Sequence, residues 1–295
     1  MNKFVDNVYV INMDKDKQRL ELITKECQKF NIKFERFAGI DATMLTKKEK
    51  SKYITDYCNN FCPNSIIGCA ISHIKIYEDI INKGYKNALI LEDDIYIDDD
   101  FYDILNKAFE ELPDNYDILY LGFLNFINYK ENNNKFKNIY IPKIPLGTHA
   151  YIISNKGCKK LFKYLTKNIF FHIDWIINFN MNKLNVYTTK KKIIYQTWND
   201  SNNSNLTSFP KYINLVLNKY KINNDIPCTY FFNLSYIKLF NINITLWIII
   251  FFIFGLINNK YLNFLILLYF LIDFDLIFFL VLFLGLIINI IIYKL

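Results

Sequence analysis

Three adjacent carboxylates, Glu92-Asp93-Asp94, follow directly on the apolar run at residues 88–91 and are the side chains best suited to chemistry. Such a cluster is costly at the end of a buried strand unless something offsets the repulsion between its charges. A hard cation such as Mn²⁺ or Mg²⁺ does so with oxygen ligands, and it also binds diphosphate oxygens. A solvated loop start is the competing interpretation, because Asp98-Asp99-Asp100 comes next. The cluster alone leaves both interpretations open.

Two further polar pairs could face the same region. Ser72-His73 lies near the start of a predicted helix, and His172 and Asp174 precede an apolar segment. A single histidine is more often structural than catalytic, and Ser72 and His73 could equally join a helix start to a strand. The three histidines, which include His149, form no zinc-binding pattern, and neither the P-loop nor the Rossmann glycine spacing occurs.

Alternating strands and helices would position these side chains. Apolar runs predict strands at 8–11, 32–37, 88–91, 118–121 (closed by Gly122) and 150–153. Helices are predicted after an Asp14 N-cap, over 68–82, from residue 101 and after a Ser154 cap, with a polar loop at 130–138. This α/β alternation predicts a mostly parallel sheet with helices on both faces. Such sheets bind ligands at the carboxyl ends of their strands, where Asn12, Asp14 and the acidic cluster would lie.

Charge and cysteine content narrow the class of protein. The formal net charge of +7 is dispersed over 295 residues and forms no basic stripe, so nucleic acid is not expected as a partner. The six cysteines show no disulfide framework, and Cys58 and Cys62 lack the partners of a zinc site. Cys27, Cys69 and Cys158 fall on apolar helix faces and are predicted to be small buried side chains, which fits a reducing compartment.

The end of the chain differs in composition from the rest. Residues 1–235 have the mixed pattern of an α/β domain, whereas residues 242–295 are almost continuously apolar, with no charge between 276 and 293. Hydropathy predicts a hydrophobic helical tail of two or three membrane-associated segments there. No secretory signal precedes the first strand, so the 1–235 domain is expected to face the cytoplasm at a membrane.

A series of motifs runs in a fixed order over residues 7–205. It consists of Val10-Ile11-Asn12-Met13-Asp14, Arg19, Phe37-Ala38-Gly39-Ile40-Asp41, Ile67-Gly68-Cys69-Ala70-Ile71-Ser72-His73, Leu91-Glu92-Asp93-Asp94, Gly147-Thr148-His149-Ala150-Tyr151-Ile152-Ile153-Ser154, His172-Ile173-Asp174-Trp175, and Gln196 with Asp200-Ser201. The series resembles glycosyltransferase family 25, the family of bacterial lipooligosaccharide galactosyltransferases and collagen galactosyltransferase domains. Single motifs are weakly specific, and the resemblance rests on their order.

The resemblance implies a GT-A-type nucleotide-sugar-binding fold and inverting transfer of a hexose, commonly from UDP-galactose, to a glycan, glycolipid or protein. It also implies a divalent metal, Mn²⁺ or Mg²⁺, held by Asp93 and Asp94 against the donor diphosphate. Asp174 is the predicted base for the acceptor hydroxyl, with His172 beside it. The predicted donor-binding residues are Asn12, Asp14, Arg19, Asp41, Ser72, His73, Glu92 and Thr148.

Two other functions remain open at this point. A membrane-bound binding protein could keep the fold without transfer, and it would bind a nucleotide-sugar without turnover. A metal-dependent phosphotransferase or hydrolase could use the acidic cluster, but it would need a nucleophile or a water-activating group. The sequence supplies no such group beyond the same motif residues.

Overall fold

The computed structural model describes residues 1, 3–125, 136–197, 234–239, 242–257 and 276–294, together with 259, 261 and 264. The chain divides into two compact units, Met1–Ser201 and Asn202–Leu295. The boundary predicted after residue 235 falls later than this division, and most of the predicted loop at 130–138 lies outside the described residues.

A seven-stranded sheet forms the centre of the first unit. Its strands are β1 (Asn7–Asn12), β2 (Glu35–Ala38), β3 (Asn87–Glu92), β5 (Ile118–Asn125), β6 (Ile139–Tyr140), β7 (Pro145–Ser154) and β8 (Val186–Thr189). They lie in the order β2-β1-β3-β7-β5-β8-β6, while β4 (Ile95–Ile97) and β9 (Ile194–Gln196) pair separately. The helices are α1 (Lys17–Lys29), α2 (Lys47–Lys50), α3 (Asp56–Phe61), α4 (Asn64–Lys83), α5 (Phe101–Glu111), α6 (Asn155–Leu165) and α7 (Ile173–Phe179), with a 3-10 turn at Met181–Lys183.

Five of the seven strands, β2, β1, β3, β5 and β8, run in the same direction. β1 is parallel to β2 and β3, and β5 is parallel to β8. β7 is antiparallel to both of its neighbours, β3 and β5, and β6 is antiparallel to β8. The mostly parallel α/β sheet is therefore confirmed, but the strand predicted at 150–153 runs against the others.

The core has one layer on each face of the sheet. One layer packs against α4, α6 and α7, and the other packs against α1 and α5. Alternate residues of β3 contribute to both, because successive side chains of a strand point to opposite faces. Ala88 and Ile90 lie in the first layer, and Leu89 and Leu91 lie in the second. Helices thus cover both faces, as predicted.

Several element boundaries differ from the predicted ones. The N-cap position of α1 is Asp16 rather than Asp14, and its side chain makes no capping hydrogen bond. The helix predicted from residue 68 begins at residue 64. β5 continues through Gly122 to residue 125. Ser154 caps α6 as predicted, because its Oγ accepts a hydrogen bond from the Gly157 backbone N at 3.0 Å.

Cys58 and Cys62 form a disulfide at the end of α3. The expectation that the cysteines form no disulfide framework therefore misses this pair. Its physical basis is the spacing of four residues around a helix end, which places the two Cα atoms 4.5 Å apart, within the span of a disulfide. Cys27 and Cys158 are free and buried as predicted, whereas Cys69 is partly exposed.

The second unit contains a hairpin and two helices in its described part. β10 (Ser235–Leu239) and β11 (Ile242–Thr245) pair antiparallel, and α8 (Leu246–Ile257) packs against α9 (Leu276–Lys294). No helix among the described residues is both long enough and apolar enough to cross a membrane. The predicted membrane segments thus find no support there.

Candidate active site

The end of β3 brings its three carboxylates to one edge of the sheet, and they separate to two sides. Asp93 Oδ1 lies 2.8 Å from Arg19 Nη2 of α1, and Asp94 Oδ2 lies 2.9 Å from the same nitrogen. Glu92 Oε1 instead lies 3.6 Å from His73 Nε2 of α4. Alternation along β3 places Glu92 on the same face as Ile90, toward α4, whereas Asp93 and Asp94 follow the end of the strand and both contact Arg19.

The Asp93–Asp94 side is held by residues from three elements. Asn12 at the end of β1 donates from Nδ2 to Asp93 Oδ2 at 2.7 Å. Gln196 at the end of β9 donates from Nε2 to Asp94 Oδ2 at 3.0 Å. With Arg19, these donors engage three of the four carboxylate oxygens. The fourth, Asp94 Oδ1, is buried and has no hydrogen-bond partner among the described residues.

Burial disfavours the charged form of both aspartates. Only 8% of Asp93 and 5% of Asp94 is exposed. Burial raises the pKa of Asp93 above its ordinary value, against the hydrogen bond from Asn12 and the charge of Arg19. Burial, followed by the charge of Glu92, raises the pKa of Asp94 to about 7. A cation beside the two carboxylates would therefore be stabilised at this position.

These residues fit a divalent metal. Hard cations take carboxylate oxygens as ligands, and Asp94 Oδ1 is a buried oxygen without another partner. Asp93 and Asp94 would hold the ion, and Asn12 would orient the Asp93 carboxylate through its hydrogen bond. The structure brings together Asn12, Arg19, Asp93 and Asp94 from the predicted set, and their roles stay predictions.

Arg36 on β2 holds the end of β1 in place. It donates from Nε to Asn12 Oδ1 at 3.0 Å, and from Nη2 to Asn12 O at 3.1 Å and Asp14 Oδ1 at 2.6 Å. Asp14 thus reaches this edge through an ion pair, with its side chain 82% exposed. Arg36 was not predicted. The sign of its role is that a charged arginine lies inside a strand. That strand pairs with β1, and Arg36 lies opposite Val10.

Glu92 belongs to a buried chain of polar groups on the α4 side. Thr148 Oγ1 donates to Glu92 Oε1 at 3.0 Å. His73 Nδ1 lies 2.8 Å from Tyr151 Oη, which lies 2.6 Å from Tyr77 Oη. Burial acts to raise the pKa of Glu92, but His73 and the other neighbours outweigh it and hold that pKa below its ordinary value. Glu92, Thr148 and His73 are therefore brought together.

His149 is a buried histidine beside this chain that was not among the predicted site residues. A Cβ on Gly122 would lie 2.3 Å from His149 Nε2, so the glycine makes room for the ring. The charge of His149 also contributes to lowering the pKa of Glu92. In the sequence, His149 belongs to the motif at residues 147–154 and directly precedes the predicted strand at 150–153, but nothing local separates it from a core residue.

Asp174 lies in the first turn of α7 and, like Glu92, accepts a hydrogen bond from a residue of β7. It is 4% exposed. Its Oδ2 accepts a hydrogen bond from Gly147 N at 2.9 Å, and its Oδ1 accepts one from Trp175 N at 2.8 Å. Gly147 has a φ of 85°, in the left-handed region that favours glycine. Because Gly147 and Thr148 are adjacent on β7, Asp174 and Glu92 bind neighbouring residues of one strand.

Two other predicted site residues, His172 and Asp41, make contacts with residues close to them in the sequence. His172 takes the N-cap position of α7, and its ring packs edge-on against Phe171. Asp41 Oδ1 accepts hydrogen bonds from Thr43 N at 2.9 Å and Thr43 Oγ1 at 2.6 Å. These bonds hold the pKa of Asp41 below its ordinary value.

Ser72 connects α4 to the segment that follows β2. Its Oγ donates to Gly68 O at 2.7 Å and accepts from Ile40 N at 2.9 Å. The hydroxyl of Ser72 thus both donates and accepts a hydrogen bond inside the fold. These bonds correspond to the structural role that the sequence left open for this residue.

The fold and the site define an α/β protein with a buried carboxylate site at the carboxyl ends of two parallel strands, β1 and β3. The family model of glycosyltransferase family 25 (LPS biosynthesis protein) matches residues 5–177. The chain belongs to this family. The matched range contains the whole acidic cluster, α1, α4 and Asp174.

Curated relatives match the same part of the chain. A glycosyltransferase 25 family member of Anopheles gambiae is 24% identical over 176 residues, which cover 54% of this chain and 29% of the relative. A putative glycosyltransferase of Haemophilus influenzae is 27% identical over 173 residues, with coverage of 57% and 60%. A probable inactive glycosyltransferase 25 family member 3 of Bos taurus is 23% identical over 177 residues, with coverage of 53% and 28%. The match thus spans less than two thirds of each relative.

Solved structures of glycosyltransferases also show similarity to the chain. A glycosyltransferase involved in the glycosylation of the major capsid of PBCV-1 has a TM-score of 0.40 at 10% identity, and the match covers 66% of this chain and 93% of that one. A mutant Drosophila galactosyltransferase 7 in complex with manganese, UDP-Gal and xylobiose has a TM-score of 0.33 at 8% identity, with coverage of 74% and 73%.

Proposed function

We propose that this chain is an inverting glycosyltransferase of GT-A type. It moves a hexose from a UDP-sugar to a hydroxyl of a saccharide or protein, and galactose is the hexose that we propose. The observation that carries the proposal is the nearly buried Asp93–Asp94 pair, in which Asp94 Oδ1 lacks a partner among the described residues. In a member of family 25, such a pair at the carboxyl end of β3 fits a site for a divalent cation and a diphosphate.

The donor side is built from residues of β1, α1 and β3. Asp93 and Asp94 would hold Mn²⁺ or Mg²⁺, which supplies Lewis-acid stabilisation of the diphosphate leaving group when bound. Asn12 fixes the Asp93 carboxylate through its 2.7 Å hydrogen bond. Arg19 places a permanent positive charge beside both aspartates, and a guanidinium also binds phosphate oxygens well. Arg19 therefore serves the donor as well as the carboxylates.

Asp174 is the proposed base. In a single displacement, the acceptor oxygen attacks the anomeric carbon as the bond to the diphosphate breaks, and the hydroxyl proton passes to a carboxylate. The two backbone N–H groups that bind Asp174 fix its orientation, with one bond to each oxygen. A carboxylate oriented in this way is the group that would take the hydroxyl proton.

One observation favours a second function, nucleotide-sugar binding without transfer. Arg19 engages both of the carboxylates proposed to hold the metal, and the Bos taurus relative is named as probably inactive. A chain of this kind would bind a UDP-sugar and leave it intact.

A donor screen distinguishes the two functions. The purified full-length chain is incubated with UDP-galactose, UDP-glucose or GDP-mannose, with Mn²⁺ or with EDTA, and the release of nucleoside diphosphate is measured. The proposal expects UDP release from UDP-galactose that depends on Mn²⁺. Calorimetric binding of UDP-galactose without release would support the second function, and neither binding nor release would contradict both.

A further inference from the structure

We propose that Cys69, His73 and Glu92 form a second metal site, suited to Zn²⁺, on the α4 side of β3. One ligand atom from each residue lies within 4.8 Å of the other two. The proposal goes beyond the transfer reaction and does not rest on it, because it concerns a different set of ligands from Asp93 and Asp94.

The helix and the strand explain how the three ligands meet. Cys69 and His73 are four residues apart on α4, so both side chains lie on one face of the helix. Glu92 comes from the end of β3 and meets that face. Zinc bonds of about 2.1–2.3 Å place tetrahedral ligands roughly 3.4–3.8 Å apart. The 3.6 Å between His73 Nε2 and Glu92 Oε1 falls within that separation.

The observation that points to a ligand is a ring nitrogen of His73 that is buried without a hydrogen-bond partner in the described part of the chain. His73 is fully buried, and its Nε2 has no hydrogen-bond partner among the described residues. Its Nδ1 lies 2.8 Å from Tyr151 Oη. When Nδ1 donates that hydrogen bond, the Nε2 lone pair faces a carboxylate oxygen of Glu92. Two acceptors facing each other are unfavourable unless a cation lies between them.

The surrounding residues have the arrangement that accompanies zinc-bound histidine and carboxylate. A metal-binding histidine usually donates its second ring N–H to a fixed acceptor, and a metal-binding carboxylate is itself hydrogen-bonded. Tyr151, fixed by Tyr77, fills the first role, and Thr148 fills the second by donating to Glu92. These contacts orient His73 and Glu92 before any metal binds.

The chemistry of the three ligands selects the class of metal. A thiolate, an imidazole and a carboxylate together suit Zn²⁺, whereas Mg²⁺ and Mn²⁺ prefer oxygen ligands alone. Cys69 must lose its thiol proton when the metal binds, and the residue is partly exposed rather than fully buried in the core. The competing arrangement has no metal: His73 would carry its proton on Nε2 facing Glu92, and Nδ1 would accept from Tyr151 Oη.

Cobalt titration of the full-length chain tests the proposal, because Co²⁺ replaces Zn²⁺ and reports thiolate ligation in its absorption spectrum. The chain is dialysed against chelator and titrated anaerobically with Co²⁺. We expect one equivalent to give a thiolate charge-transfer band and tetrahedral visible bands, which Zn²⁺ then removes. Cys69→Ser should abolish the charge-transfer band, and His73→Gln should weaken binding about tenfold or more.

Matched variants make the result specific. Cys27→Ser changes a buried cysteine in the other core layer, and Cys228→Ser changes one outside the described residues. Both should keep the band, as should Asp94→Asn. Circular dichroism confirms that each variant is folded. Absence of the band from the wild-type chain, or its survival in folded Cys69→Ser, would overturn the proposal whether or not the chain transfers a sugar.

Discussion

At the scale of single residues, burial separates two groups of acids that are neighbours in the sequence. Asp98 and Asp100 both accept from Lys191 Nζ, at 2.9 and 2.8 Å. Although burial acts to raise it, the pKa of Asp98 is held below its ordinary value by Lys191. The pKa values of Asp93 and Asp94 are raised instead. The solvated-loop interpretation thus describes Asp98 and Asp100, and the site interpretation concerns the buried pair.

Asp94 should make the stability of the metal-free chain depend on pH. Its pKa is about 7 in the fold and about 3.9 in an unfolded chain. Between these values the folded state binds more protons, so the free energy of unfolding falls as pH rises from about 4 to about 7. Thermal unfolding in EDTA from pH 5 to pH 8 measures this. The wild-type Tm should fall relative to that of Asp94→Asn, and a relative rise would contradict the assignment.

Asp174 should matter more for turnover than for donor affinity. Asp174→Asn removes the proposed base but keeps the shape of the side chain. We expect kcat to fall about 100-fold or more, with a change in the donor KM of less than about threefold. Asp103→Asn, on the exposed side of α5, is the control. A large rise in KM with kcat unchanged would show that Asp174 binds substrate instead.

At the scale of elements, the sequence predicts the positions of strands better than their directions. Apolar runs located β1, β3, β5 and β7, because each is buried on both faces of the sheet. The direction of β7 depends on the path of the connection from β5, which passes through residues outside the described part. Apolar alternation contains no information on that path, so the antiparallel insertion between β3 and β5 was not predicted.

The candidate site could be predicted where it depends on neighbouring elements. Asn12 and Asp93 come together because β1 and β3 are parallel neighbours, and Arg19 joins them from the helix that follows β1. Gln196 reaches Asp94 through the separate pairing of β4 with β9. That pairing joins residues about a hundred positions apart, and no local pattern indicates it.

Gly68 should be essential to the packing of α4. A Cβ at this position would lie 2.2 Å from the carbonyl oxygen of Ile40, which is backbone and cannot move aside cheaply. Gly68→Ala should therefore lower the free energy of unfolding by about 1–3 kcal/mol, although alanine normally favours a helix interior. Denaturant unfolding measures the change.

The control for that variant is Gly84→Ala at the end of the same helix. Gly84 has a φ of 68° and no atom within 4 Å of an added Cβ, so only backbone strain of about 1 kcal/mol is expected. If Gly68→Ala is as stable as the wild type, the close approach of α4 to Ile40 is wrong.

At the scale of the whole molecule, the first unit has the features of a domain that folds alone. Met1–Ser201 contains both core layers and the family match at 5–177. A chain that ends at Ser201 should unfold cooperatively, with a Tm within about 5 °C of the corresponding transition in the full chain. Circular dichroism during heating measures this. A non-cooperative transition would show that the first unit needs residues beyond 201.

The claim that Asp93 and Asp94 form the metal site of a UDP-sugar transferase is tested most directly by one substitution. Mn²⁺-dependent UDP release from UDP-galactose is compared among the wild type, Asp94→Asn and Asp99→Asn, whose side chain is exposed. The account predicts that Asp94→Asn loses about 100-fold or more of the rate, with circular dichroism unchanged, while Asp99→Asn keeps the wild-type rate. Full activity in folded Asp94→Asn would contradict the account.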